Sequence, residues 1–261
     1  MTNLTAASQE LFRRGPDECF ETLDALHDFC RRGRDESRDI WQKPDEIKLS
    51  DKMSLLIGEQ PSRLLNDWSF SQVCRMAGVS KDTINRLSPR TASLALDETL
   101  PRLDKPLQLL TTNNLVRSVH GVAYTRLWNA ELLDAVRDVA TDFTPPQVGC
   151  NGGTGLYCGE QDLFTFLIDP LGWVEIGGET FAPGFFVWNS EVGRRSLGIQ
   201  TGTAGWCAAD VSPFDVERQI SPCRSVRRGG GFRRCVRTTL FGMRSRSWTS
   251  AANTRPTSAM D

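Results

Sequence analysis

Two stretches of this 261-residue chain gather residue types that could do chemistry. In FFVWNSEVGRRSLGI, residues 185–199, the side chains Trp188, Asn189, Ser190, Glu191, Arg194 and Arg195 fall close together. An aromatic ring beside twin guanidinium groups suits single-stranded nucleic acid, because bases stack on rings while arginines meet phosphates. In SQVCRMAGVSKDTINRL, residues 71–87, the apolar positions Val73, Ala77, Val79, Ile84 and Leu87 have the spacing of two helices closed around Gly78. Ser80 would cap the second helix, and Lys81, Asp82, Thr83, Asn85 and Arg86 would then project toward base edges. That is the pattern of a helix-turn-helix regulator reading duplex DNA, and equally of an ordinary helical hairpin.

The remaining chemistry-bearing residues are scattered. Asp162, Asp169, Glu175 and Glu191 could serve a metal-assisted or acid–base site near the strands at 169–191, but no spacing rule unites them. Asp169, followed by Pro170 and Gly172, is turn chemistry. GCNGGTG, residues 149–155, lacks the Lys and Ser or Thr that a phosphate loop needs and runs on into a strand, so it predicts a turn. There is no nucleophile elbow and no His-Glu metal motif. The eight cysteines, at 19, 30, 74, 150, 158, 207, 223 and 235, form no C-x-x-C pair, and His27 and His120 are the only imidazoles. No metal site and no cofactor is expected. DNA is the expected partner of a non-enzymatic protein, and a metal-dependent enzyme is the alternative.

Composition sets the frame for these residues. With 39% hydrophobic and 24% charged residues, the chain has the make-up of a soluble globular protein. The first thirty residues carry acids and arginines where a signal peptide needs an apolar core, and no apolar run is long enough to span a bilayer, so a cytoplasmic protein without a membrane partner is expected. The net charge of −1 hides an asymmetry. Ser221–Asp261 holds nine Arg against one acid, a net of +8, and residues 1–220 hold 22 bases against 31 acids, a net of −9. An acidic body argues against a broad nonspecific nucleic-acid surface.

The elements that must position the candidates read as an α+β fold with a helical N-terminal half. Residues 1–50 carry one helix, Asp17–Arg32, with Gly33 just past its end, and then a charged, solvated connection. Residues 51–110 read as a helical subdomain, clearest at Ser69–Met76 and Ser80–Leu87, punctuated by Pro89, Pro101 and Pro106. Residues 111–201 read as an α+β core. A strand lies in LVRSVHGVAYTRL, the amphipathic helix NAELLDAVRDVA starts at a candidate cap Asn129, and DLFTFLID, WVEI and FFVWNSEVG form a mostly antiparallel sheet. Phe185, Val187 and Asn189 share one face of their strand and Phe186, Trp188 and Ser190 the other. Both faces open apolar, which predicts a central strand with a polar turn and a return through Leu197 and Ile199.

The runs GLYCGEQDLFTFLIDP and VEIGGETFAPGFFVWNSEVGRRSLGI, with SVHGVAYTRLWNAELLDAV upstream, resemble the phage and plasmid-like proteins grouped as a bacterial domain of unknown function. There a strand ending in Asp, an IGG turn and an F-x-W-N-S-E-V-G segment with a Leu-Gly-Ile strand recur in this order. The resemblance covers residues 115–201 closely and 50–110 more loosely. It implies a prophage, plasmid or other mobile element and no defined activity; because genes of such elements often handle DNA, a role in replication, recombination or single-strand binding is the working expectation. In the family the segment equivalent to 70–100 resembles a helix pair leading to a Leu-Pro exit, which favours the hairpin reading of 71–87.

Family members continue past the Leu-Gly-Ile strand into further strand and helix, and this chain departs from them near Gly202. Residues 202–261 form an irregular basic tail that reads as a nucleic-acid arm, a disordered segment, or the out-of-frame translation of a GC-rich gene. The abrupt loss of Lys, Asp and Glu favours the last. If no strand follows, the strand ending at Thr201 becomes a sheet edge.

Overall fold

A computed structural model of the chain describes residues 18–50, 54–58, 61–101, 104–146, 153–176 and 179–206. The chain divides into two compact units, of which the first holds residues up to Asp28, Asn129–Ser190 and the residues from Arg195 on, and the second holds Phe29–Trp128 and Glu191–Arg194. Each is α+β. The division falls inside the first helix, α1 (Leu23–Asp35).

The second unit is built on a six-stranded sheet. Its strands are β1 (Ser37–Gln42), β2 (Ile47–Leu49), β3 (Ser54–Ile57), β4 (Arg63–Leu65), β5 (Leu107–Thr112) and β6 (Leu115–Gly121), in the order β1-β5-β6-β4-β3-β2. All pairs are antiparallel except β4 with β6. Between β4 and β5 the chain runs through α2 (Asp67–Met76), α3 (Lys81–Asn85) and α4 (Pro89–Thr99). Val73, Cys74 and Ala77 of this helical run, with Ile84, Ala92 and Leu96, close a core against Leu55, Ile57, Leu109, Val116 and Val119.

This sheet is the main departure from the sequence expectation of a helical N-terminal half. α2 and α3 overlap the helices expected at Ser69–Met76 and Ser80–Leu87, and α4 starts at Pro89, but the charged connection contains β1 and β2, and strands border the helical run on both sides. Strands β1 to β5 are three to six residues long, too short for a clear period-two signal, and the pairs of β1 with β5 and of β4 with β6 join segments far apart in sequence. β2 still shows the alternation in miniature, with Ile47 and Leu49 buried around an exposed Lys48. One local signal was available: the two-residue Asn113-Asn114 connection of the β5–β6 hairpin, where Asn113 takes a φ of 51°.

The first unit holds a five-stranded sheet, the helix at 129–139 and the start of α1. β7 (Leu156–Cys158), β8 (Leu163–Ile168), β10 (Glu179–Asn189) and β11 (Gly198–Trp206) lie in the order β11-β10-β8-β7, and β9 (Val174–Ile176) pairs with the start of β10. Here the sequence expectation holds: β10 is central, flanked by β8 and β11, and every pair is antiparallel. Pro183 interrupts β10 without cost to the ladder. It falls between the stretches paired with β9 and β8, where its missing N–H leaves no partner unserved, and its carbonyl accepts from the Asp169 N–H at 2.8 Å.

The alternation along β10 decides which residues are core. Phe185 and Val187 are fully buried, Phe185 meeting Phe143 edge-on at 5.1 Å. On the other face Phe186 and Trp188 lie opposite Phe166 and Phe164 of β8 and pack with Tyr157 and Ile168.

The helix α5 (Asn129–Val139) buries Leu132, Leu133 and Val136 as its apolar stripe requires. α1 starts later than the sequence expectation of Asp17–Arg32, because Cys19 bridges Tyr157 and the Phe20 N–H donates to the Leu156 carbonyl at 3.0 Å, so this segment lies along β7. α1 also runs through Gly33 instead of ending there. His27 of α1 sits between two groups of α5. Arg137 donates to its Nδ1 at 3.0 Å, and its Nε2 therefore carries the hydrogen that it shares with Asp134 at 2.8 Å.

Candidate functional site

The segment Asn189-Ser190-Glu191, expected as part of a nucleic-acid surface, is buried: the three residues are 3%, 3% and 5% exposed. Their polar groups have internal partners. Asn189 Nδ2 donates to Asn129 Oδ1 at 2.8 Å, so the residue expected to cap α5 accepts from the end of β10. Ser190 Oγ donates to the Gln161 carbonyl at 2.5 Å. Arg195, with its guanidinium over the Phe164 ring at 5.3 Å, donates from Nε to Asp162, which is 1% exposed, at 3.1 Å. These residues and Trp188 belong to the first unit, whereas Glu191 and Arg194 belong to the second. Trp188 is half-buried, its ring 5.0 Å from that of Phe186, and Arg194 is exposed.

Within the second unit the tetrapeptide Glu191–Arg194 is gripped by side chains that the sequence reading did not single out. The Glu191 carbonyl accepts from Tyr124 Oη at 3.0 Å and from Arg126 Nη1. The Val192 carbonyl accepts from Trp68 Nε1 at 2.8 Å and from His120 Nε2 at 3.0 Å. A carbonyl can only accept, so the neutral His120 carries its hydrogen on Nε2. The Glu191 carboxylate pairs with Arg117 at 3.3 Å, and Arg126 forks onto Asp39, with Nη2 2.8 Å from Oδ1. Gln72 caps the open side of β6 by accepting from the Val119 N–H at 2.9 Å. Two carbonyls with two donors each, around a glycine at φ +73°, describe a built peptide clamp. Nothing in the spacing of 68, 117, 120, 124 and 126 announces it, because α2 and β6 meet only through the fold.

Two groups in the clamp are electrostatically shifted. Burial, helped by the Arg126 charge, lowers His120 to about 4. Burial pushes Tyr124 up to about 12, against the pull of Arg126. An unfolded chain therefore takes up a proton on His120 between about 6.5 and 4 that the folded chain refuses. Its contribution is complete above 6.5 and is lost as the pH falls toward 4, on the order of 1–2 kcal/mol for a partly screened group. Hydrogen exchange of the β5 and β6 amides as a function of pH checks this: His120→Gln is expected to flatten the dependence in that window, and an unchanged profile refutes it.

The helix-turn-helix stretch takes the expected form only in part: the second helix is Lys81–Asn85, shorter than the expected Ser80–Leu87, and Leu87, expected to lock the two helices together, is exposed. Gly78 turns the chain at φ +69°, Ser80 Oγ accepts from the Thr83 N–H, and Ile84 is buried with Val73 and Ala77. Thr83, Asn85 and Arg86 are exposed; Lys81 is half-buried and pairs with Asp67. Arg75, Lys81, Arg86 and Arg90 against Asp82 give this segment, 75–91, a net charge of +3.

Charge separates the two units. The described residues of the first hold two Arg and 13 acids, a net of −11, and those of the second hold 15 Lys and Arg and 11 acids, a net of +4.

The acids considered for a metal or acid–base site have separate partners. Asp162 pairs with Arg195, Glu191 with Arg117, Asp169 accepts from the Leu171 N–H at 3.0 Å in its turn, and Glu175 is exposed on β9. Among the described residues no three His, Cys, Asp or Glu side chains gather as a metal-holding group, and no helix is long and apolar enough to cross a membrane. Gly149–Gly152 of the glycine-rich turn and the basic tail from 207 on lie outside the described residues. Compared with protein-family models, curated proteins and solved structures, the chain matches none.

Proposed function

We propose that the chain, whose resemblance to phage and plasmid-like proteins implies a mobile element, is a non-enzymatic, DNA-associated protein, and that it meets duplex DNA through α2 and α3. The observation that carries this reading is the coincidence of a capped helix-turn-helix, net +2 over 71–87 and +3 over 75–91, with the only one of the two units whose described residues are net positive. Phosphates draw binding energy from clustered Lys and Arg, and a surface of net −11 repels them. That contrast favours 71–87 over the turn at 188–195, where Trp188 offers a ring but Asn189, Ser190 and Glu191 face inward. α3 is about 7.5 Å long. Its first turn and Arg86 are what a major groove would meet, with Arg75 and Arg90 placed for phosphates.

The test is titration of duplex and single-stranded oligonucleotides across a range of salt. Arg86→Ala with Arg90→Ala is expected to weaken duplex binding about tenfold at low salt and to reduce the salt slope by about 2. Asn85→Ala would relax any sequence preference. Trp188→Ala should leave duplex binding unchanged. Binding that is confined to single strands and lost in Trp188→Ala would transfer the function to the aromatic face of β10, and no binding of either nucleic acid at low salt would end both readings.

A further inference from the structure

The outward face of α4 is built symmetrically about one leucine. Ala92, Ser93 and Leu96 are buried, and the opposite side of the helix carries Arg90, Leu94 and Glu98, all exposed, with Leu94 at 53%. These three positions form one row at a spacing of four, with opposite charges a turn to either side of the apolar centre. The two charges stand about 12 Å apart along the axis, too far to pair with each other. Among the described residues neither side chain has an ion-pair or hydrogen-bond partner. Each also sits at the end of α4 that the helix dipole disfavours, since the first turn holds Arg90 and no acid and the last turn holds Glu98 and no base.

We infer that α4 is a self-association face, packing antiparallel against α4 of a second copy of this chain about a two-fold axis at Leu94. Such a contact sets residue i against residue j and j against i. With Leu94 on the axis, Arg90 of each copy falls beside Glu98 of the other, so both charges gain a partner and both leucines are covered. Rows at a spacing of four run alongside each other when two helices cross at about −50°, the commonest packing class. The complementarity is to this helix itself, because a partner surface of a single sign would attract one end of the row and repel the other. One helix face is well below the ~1,000 Å² of a stable interface, so the pair is weak, with a Kd on the order of 0.1 mM. Its use rests on the duplex reading above: α4 directly follows α3, and a two-fold pair presents two helix-turn-helix segments to a two-fold DNA site. With five donors, Arg90 can serve a phosphate and Glu98 of the second copy together.

Sedimentation of the full chain without nucleic acid, from about 10 µM to about 1 mM, is expected to show monomer passing to dimer by mass action. Arg90→Glu and Glu98→Arg are each expected to weaken the pair about tenfold, because each sets like charges together at both ends of the row, and the double variant should restore it to within about twofold. Leu94→Lys should weaken it by more than about tenfold. All three positions are exposed and both charge reversals suit the helix dipole, so the variants should fold, which hydrogen exchange of the β5 and β6 amides checks. A monomer at every concentration overturns the inference. So does a Leu94→Lys protein that dimerises as well as the parent, or a double charge reversal no better than the single ones. With no nucleic acid present, failure to pair leaves the duplex reading standing, and absence of duplex binding leaves a measured pair standing.

Discussion

Replacement of Arg126 by Met is expected to destabilise the second unit by about 3–5 kcal/mol, the usual cost of removing one partner of a buried ion pair. The Arg126 side chain is 2% exposed and Asp39 24%, so the carboxylate left behind is largely cut off from water. The guanidinium also lies over the rings of Tyr124, at 5.3 Å, and Trp128, at 5.6 Å, and donates to the Glu191 carbonyl, so its loss opens the clamp on both sides. Arg126→Lys retains the charge but not the fork and should fall between parent and Met. Hydrogen exchange of the β5 and β6 amides measures the effect. Combining Arg126→Met with Asp39→Leu should recover part of the loss, because the stranded charge is then gone. If the single variant costs less than about 1 kcal/mol, the clamp is not the stabilising feature described above.

Gly193→Ala is expected to cost about 2–4 kcal/mol, from two separable causes. At φ +73° an L side chain pays about 1–2 kcal/mol for the left-handed backbone. A Cβ there would also stand 2.5 Å from His120 Cε1 and 3.1 Å from Tyr124 Cε2. The two rings cannot easily give way, because they stack with centroids 3.7 Å apart and His120 holds the Val192 carbonyl. The double variant Gly193→Ala, His120→Ala removes the overlap while keeping the backbone strain, so its cost should be less than the sum of the two single changes. Strict additivity would show that the overlap contributes nothing.

Much of the first unit was legible because its signals are local. Runs such as DLFTFLID and FFVWN are apolar on both faces and end in turn residues, α5 has a clean apolar stripe, and Asp169 with Pro170 and Gly172 forms the turn its residue types predict. In the second unit the helices around Gly78 were legible for the same reason. Its sheet was legible only at β6, the strand read in LVRSVHG; β2, β3 and β4, of three or four residues, carry too few positions to reveal a period, and pairs such as Leu64 with Leu115 join segments far apart in sequence. The candidate site was harder still. Trp188, Asn189, Ser190, Glu191, Arg194 and Arg195 are neighbours in sequence, but composition cannot tell a polar residue bound for solvent from one that completes an internal hydrogen bond.

The sequence by itself determined the α+β class, the central position of β10, the turn at Gly78 with its exposed Thr83, Asn85 and Arg86, and the charge carried by each segment. These follow from periodicity, capping chemistry and counting, all of which act within a few residues. Only the tertiary structure decided that Glu191–Arg194 is clamped by Trp68, His120, Tyr124 and Arg126, that the acidic and basic residues among those described sort into units of −11 and +4, and that β11 pairs with β10 at the end of the described strand order. Each of those depends on which distant segments come to lie side by side, and the free energy of that pairing comes from burial and hydrogen bonds whose partners no local pattern specifies.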